Sequence, residues 1–220
     1  MSACTLTVLM ILSGLTFFRV TPRCELAKSL PFPFSVNPII LEDLQSEVKL
    51  SKGNLLVASR HLRDPNFSET VVLLVSYDRY GALGLVINRP TDVRLSVVFP
   101  EIEELKGRTD ALFIGGPVAV NRFMFLVRAD SQPADSHRVF EDVFVSSSET
   151  TFRQMIQEKR KELRVYAGHA GWAPGQLDAE ISRGDWHILP HDKETIFNKP
   201  PSEIWPELIR RSSGQWVKAQ

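Results

Sequence analysis

Thr70-Val71-Val72-Leu73-Leu74-Val75-Ser76 is followed by Tyr77-Asp78-Arg79-Tyr80-Gly81 and then by Ala82-Leu83-Gly84-Leu85-Val86-Ile87-Asn88. The first run is β-branched and almost wholly apolar, with no polar alternation, as expected of a strand buried on both faces. The middle segment is a turn, and the third returns as the second arm of a hairpin. Asn88-Arg89-Pro90 ends that arm.

Outward from this hairpin the chain reads as mixed α and β. Upstream, Asn54–Ser59 is a short apolar strand. Downstream, residues 95–105 suggest a short helix broken at Pro100. Ala111–Gly115 is a strand stopped by Gly115-Gly116-Pro117, and Arg122–Arg128 and Arg138–Ser146 are two further strands. Ser146 stands three residues before Glu149, a capping-box spacing that opens a helix reaching about Glu162. Leu163–Ala167 is a strand leading into a Gly-rich turn. Pro174 then suits the first turn of a helix that carries Leu177 and Ile181 and stops before Gly184. Trp186–Leu189 is a last strand, and a final helix runs from about Ser202 to Arg211, with Pro206 in its first turns. Strands come first as a hairpin and later alternate with helices. The expectation is therefore an α+β (mixed α/β) fold: a single compact domain with a mixed or mainly antiparallel sheet or partial barrel flanked by helices.

The 220 residues carry 26 bases and 26 acids, 43% hydrophobic and 24% charged residues, and two cysteines. This is the composition of a globular chain able to bury a core without metal or disulfide staples. Residues 1–52 read differently from the rest. Leu6–Phe18 is an apolar run too short for a comfortable membrane span but of the length of a signal core. No Lys or Arg precedes it, and the small residues of a cleavage site are poorly supplied around Cys24-Glu25-Leu26-Ala27. A working export signal and a disordered or mis-started leader both fit. Pro31 and Pro33 keep Leu30–Phe34 extended, and residues 41–50 have the apolar spacing of one amphipathic helix. The expected organisation is a leader and linker over 1–52, a domain over 53–213 and a tail over 214–220. The leader holds five bases and four acids, so removing it leaves 21 against 22. It does not hide a basic domain, and bulk electrostatic binding of nucleic acid is disfavoured. Both cysteines, Cys4 and Cys24, lie in the leader. The body must therefore work without a thiol nucleophile or Cys-ligated metal.

Motifs that would name a chemistry are missing from the sequence: no P-loop, no dinucleotide fingerprint, no H-E-x-x-H and no nucleophile elbow. No cofactor and no metal site is expected. His187 and His191 are four apart, but Pro190 and the strand-like Trp186–Leu189 spoil a helical metal pair. Asn66-Phe67-Ser68 has the form of a glycosylation sequon, which matters only in a eukaryotic secretory route.

Four clusters make up a candidate binding pocket. Asp64 opens Arg63-Asp64-Pro65-Asn66-Phe67, either a binding loop or an Asp-Pro turn with Phe67 plugging the core. Asn88 and Arg89 place an amide and a guanidinium at a strand end, where Arg89 could grip a carboxylate or phosphate or form a structural ion pair. Gly115 and Gly116 permit close backbone approach, to an anion or to a neighbouring strand. Finally, His169, Gly171, Trp172 and Gln176 surround a turn before a helix N-terminus, with Asp185 further on. His169 could carry a proton, but the sequence proposes no partner for it, so no residue is assigned a catalytic role.

These clusters, in this order, carry a resemblance to the YqgE/AlgH family of bacterial proteins. The likeness runs from about Gly53 to Arg211 through LLVAS (Leu55–Ser59), DPNF and TVVLLV (Asp64–Val75), GALGLVINRPT (Gly81–Thr91), GGPV (Gly115–Val118), AGWAPGQLDAEI (Ala170–Ile181), Asp185-Trp186 and Pro200-Pro201 with Trp205. The chain departs from the pattern at His169, where an aromatic is expected, and at Asp178, where Glu is usual. The resemblance implies a compact α/β domain, a cytoplasmic location and no established enzyme activity, with a transcriptional-regulator label on one branch. Export or membrane anchoring would follow only if Leu6–Phe18 acts as a signal.

Three functions compete. A non-catalytic ligand- or protein-binding domain with a regulatory role fits best; its partner, a protein or a small molecule, is not identified by the sequence. The alternative is a hydrolase or transferase acting on a small anion through His169, Arg89 and Asp185. Direct DNA binding is disfavoured, because no helix-turn-helix is evident and the one basic run, Lys159-Arg160-Lys161, sits at a helix end.

Overall fold

A computed structural model describes residues 49–158 and 162–217. Its elements are β1 (Leu55–Ala58), β2 (Val71–Asp78), β3 (Gly81–Val86), β4 (Pro90–Arg94), α1 (Leu95–Val98), a 3-10 turn at Glu103–Leu105, β5 (Ala111–Ile114), β6 (Val118–Arg128), β7 (Ser136–Phe140), β8 (Val143–Ser146), α2 (Glu149–Gln157), β9 (Leu163–Trp172), α3 (Gln176–Ser182), β10 (Trp186–Leu189), α4 (Lys193–Phe197) and α5 (Pro201–Val217).

The apolar run at β2 is buried on both faces. Val71, Leu73 and Val75 enter one core, while Val72 and Leu74 enter another on the opposite face. β1 behaves alike, with Leu55 and Val57 on the first face and Leu56 and Ala58 on the second. Each such leucine is removed from water completely and contributes about 1.5–3 kcal/mol. The mixed α+β fold is built on one open, mainly antiparallel sheet in the order β10-β1-β2-β3-β9-β6-β8-β7, with β5 beside β9 and β4 beside β5. Among the described pairings only β5 with β9 is parallel.

β9 is the strand on which the sheet turns. Its first half pairs with β5 on one edge and β6 on the other, and its second half exchanges β5 for β3. The sheet curls as a result, and one core fills the inside of the curl. There Leu73 and Leu126 lie with Val143 and Tyr166, and Ile196 of α4 and Ile204 and Leu208 of α5 close it. A second core lies under α2, where Phe152 stacks on Phe125 at 4.4 Å. A third lies under α3, around Trp172, Leu177 and Trp186.

Several local readings are corrected. Arg138–Ser146 is not one strand but the hairpin β7–β8, turning at Glu141-Asp142 with Glu141 at φ 36°. Neither turn residue is the Gly or Asn that marks such a turn in a sequence. The cap of α2 is Ser148, whose hydroxyl accepts from the Thr151 amide. Ser146 instead receives the Ser148 amide and donates to the Asp135 carbonyl. The helix stops at Gln157, short of Glu162. The expected Gly-rich turn after Ala167 is continuous strand to Trp172. Pro174 precedes α3, whose N-cap is Gly175. β4 and α4 are additional elements, and α5 extends beyond Arg211 to Val217. The apolar run 6–18, the extended Leu30–Phe34, both cysteines and the basic run 159–161 lie outside the described residues, as do positions 41–48 of the expected amphipathic helix. Lys49 and Leu50 belong to no helix or strand. Among the described residues no helix is long and apolar enough to cross a membrane.

Candidate functional site

The ten candidate residues fall into three places. The first is the loop between β1 and β2. Asp64 accepts the Asn66 amide on its side chain at 2.7 Å, and its own carbonyl receives the Phe67 and Ser68 amides. Such an Asx turn is what an Asp-Pro start favours. Arg89 reaches back across it. Its Nη1 donates to the Asn66 carbonyl at 2.7 Å, and its Nη2 to the Pro65 and Ser68 carbonyls at 3.1 Å each. Asn88 donates to the Glu69 carbonyl at 3.0 Å and accepts the Val71 amide at 2.9 Å. The guanidinium and amide at the end of β3 thus tie down a loop; the bond pattern is neither an anion grip nor an ion pair.

Trp172, Gln176 and Asp185 lie on the α3 side of the sheet. Trp172 and Trp186 are buried, and both indoles donate to Glu180 Oε2, at 2.8 and 2.9 Å. Gln176 donates to Glu180 Oε1 at 3.0 Å and accepts the Ala173 amide. Phe67 joins this place to the first, stacking on Trp172 at 6.1 Å and meeting Trp186 edge-on at 5.7 Å. Trp172 and Phe67 are therefore core anchors. Asp185 pairs with Arg183 at 2.7 Å and lies 3.9 Å from His61 Nε2, and its carbonyl receives the Ser59 amide. Glu180 escaped the sequence reading although it stands within the quoted motif block. Its signal was its position on the helix between two tryptophans, one residue type that needs an acceptor when buried.

Gly115, Gly116, His169 and Gly171 form the third place, on the outer half of β9. The Gly115 amide donates to the Ala167 carbonyl and its carbonyl accepts the Val86 amide, both at 2.8 Å. A Cβ added at Gly115 would stand 2.3 Å from the Gly168 oxygen, and one at Gly116 2.3 Å from the His169 carbonyl carbon. The glycine pair is required because two strands cross at backbone contact. On β6, Val118 pairs with His169 and Phe123 with Ala167, so residues 119–122 bulge out of the ladder. Ile114, Val118 and Val120 around this crossing are 38%, 43% and 59% exposed. His169 is half-buried. Burial lowers its pKa and the Arg122 charge lowers it further. Among the described residues no acid or hydroxyl makes a hydrogen bond or ion pair with it.

His187 and His191 do not converge either. His187 lies on β10 with its pKa lowered by burial and by His61, whereas His191 stacks on Phe140 at 4.1 Å and lies 3.5 Å from Glu141. Among the described residues no group of three His, Cys, Asp or Glu side chains could hold a metal ion.

A family model described as AlgH-like (DUF179) matches residues 55–217. The chain belongs to the AlgH-like family. An AlgH-like relative, a UPF0301 protein of Streptomyces avermitilis, is 33% identical over 176 residues, which is 77% of this chain and 91% of that one. Another UPF0301 protein, of Cytophaga hutchinsonii, is 32% identical over 171 residues, 76% of this chain and 92% of that one. The solution structure of AlgH from Pseudomonas aeruginosa superposes with a TM-score of 0.63 at 28% identity, over 80% of this chain and 97% of that one. A crystal structure of a Corynebacterium diphtheriae protein gives 0.66 at 26% identity, over 78% and 92%. These AlgH-like likenesses establish family and fold and assign no activity. In this AlgH-like chain Asp178 accepts the Tyr77 hydroxyl at 2.6 Å.

Proposed function

We propose that this AlgH-like domain is a non-catalytic protein-binding module with a regulatory role, and that it engages its partner through the β5–β6–β9 crossing. The observation that carries the reading is the trio Ile114, Val118 and Val120, exposed beside a stretch of β6 that has left its ladder. Three exposed apolar side chains close to a stretch of backbone without a registered strand partner suit an extended apolar segment of another protein. Arg122 and Asn121, both exposed, supply a polar rim. Support also comes from Arg89, Asn88, Gln176 and Glu180, whose polar groups are engaged in internal bonds rather than converging on a reacting atom.

The test is a photo-crosslinking amino acid at Val120 in cells of the native host, with the exposed Glu103 as control position. A discrete adduct from position 120, absent from position 103 and lost when Val118 is changed to Asp, is expected. Equal labelling from both positions would refute the assignment of this face.

A further inference from the structure

A second surface, independent of the apolar crossing, lies on the other side of the loop that Arg89 secures. A cleft of about 260 Å³ opens between this loop and α5. Trp205 and Leu62, both half-buried, supply apolar surface to it, and the Trp205 indole is fixed by its hydrogen bond to the Ala58 carbonyl at 2.8 Å. Arg60 and Arg63 line it from the loop's beginning, and Ser68 and Glu69 from its end. Among the described residues neither Arg60 nor Arg63 makes a hydrogen bond or ion pair. Elsewhere in the domain Arg108, Arg128, Arg153 and Arg183 all pair with acids.

Two guanidinium groups on one small concave surface, neither of them paired with the Glu69 carboxylate that also lines it, leave planar donor forks available to an oxyanion. The loop is also held in advance of any ligand. Arg89 engages the carbonyls of residues 65, 66 and 68, which removes them as competing acceptors. Asn88 holds Glu69 by its carbonyl while that residue sits in the left-handed region at φ 58°. A non-glycine residue in that region persists because its surroundings impose it. A rim ordered beforehand spares a ligand the entropy of ordering it.

The geometry points to this cleft as a binding site for a small organic oxyanion, a phosphate monoester or carboxylate carrying one flat ring. The oxyanion lies against Arg60 and Arg63 and the ring against Trp205 and Leu62. The volume is just below the range of drug-sized pockets, which limits the ligand to about one ring and one charged group. Glu69, which also lines the cleft, selects against a second anionic group.

The experiment is an amide and indole NMR titration of the full chain at physiological salt with phenyl phosphate, with inorganic phosphate in parallel. Saturable shifts at the amides of residues 59–63, 68 and 69 and at the Trp205 indole are expected, with a dissociation constant on the order of millimolar or tighter. The R60A/R63A pair replaces two exposed side chains without internal bonds, so the fold is retained. It should weaken binding at least about tenfold, as loss of charge-assisted hydrogen bonds requires. Glu69→Gln should tighten it. No saturable shift up to about 20 mM, or an unchanged constant in the double variant, would overturn the site. Equal affinity for inorganic phosphate would overturn the ring-bearing ligand class.

Discussion

Arg89 holds the carbonyl of Asn66 at 2.7 Å across 23 residues of chain. The same guanidinium reaches the carbonyls of Pro65 and Ser68. A strand end thus governs the conformation of a loop that carries Phe67 into the third core and Arg60 and Arg63 to the cleft. Replacing Arg89 by Ala should cost about 2 kcal/mol, since several bonds from a charged donor are lost together. Lys should rescue little, because a single ammonium cannot span three carbonyls. Urea unfolding measures the loss, and limited proteolysis should show new cleavage within 60–69.

Glu180 is the shared acceptor of two buried indoles. Glu180→Ala leaves the Trp172 and Trp186 N–H groups unpaired in the core and should destabilise by roughly 2–4 kcal/mol. Glu180→Gln retains one acceptor oxygen and should cost less than half as much. Near-ultraviolet dichroism, which reports the two tryptophans, should change in the Ala variant and persist in the Gln variant.

Tyr166 is completely buried, and among the described residues its hydroxyl has no partner at hydrogen-bond geometry. Burial pushes its pKa up to about 12, the nearby Arg164 guanidinium pulling the other way. Phe in its place keeps the ring contact with Phe113 and removes an unpaired polar group. Tyr166→Phe should therefore be neutral or stabilise by about 1 kcal/mol. A melting temperature lowered by several degrees would show that the hydroxyl is in fact bonded.

Acid should loosen the β7–β8 hairpin. Arg128 Nε beside Asp142 Oδ2, at 2.6 Å, holds that carboxyl below the usual range, with Lys193 assisting at 3.1 Å. Lys193 likewise lowers Glu141. A carboxylate lowered on folding stabilises fully above its unfolded pKa of about 4, and that contribution is lost as pH falls through the lower folded value. The urea midpoint should fall between pH 5 and pH 3, and Asp142→Asn should reduce that fall. An identical fall in the Asn variant would exclude Asp142 as a source.

The hairpin at β2–β3 was legible because its signals are local: an apolar run, a polar turn with Gly81, and a second apolar run. β10 was legible for the same reason. The β7–β8 turn was hidden because Glu141 adopts a conformation that its residue type does not advertise. The end of β9 was misread because glycines mark both turns and close crossings, and only the position of Gly115 and Gly116 against Gly168 and His169 separates the two. Of the candidate residues, the structure gathers Gly115, Gly116, His169 and Gly171 at one crossing. It assigns Asn88 and Arg89 to a loop clamp and Trp172 and Gln176 to a core clamp. The acceptor at the centre of that second clamp, Glu180, was passed over.

The sequence alone determined the fold class and the elements buried on both faces, because hydrophobic pattern acts over a few residues and does not depend on a distant partner; the family resemblance rested on the ordered motif blocks instead. Only the tertiary structure decided how the polar side chains are used. An arginine can bind an anion, pair with an acid or cap carbonyls with the same chemistry, and the outcome depends on which groups the fold brings within 3 Å. For Arg89 the fold delivers the 65–68 loop; Arg60 and Arg63 it leaves facing a cleft.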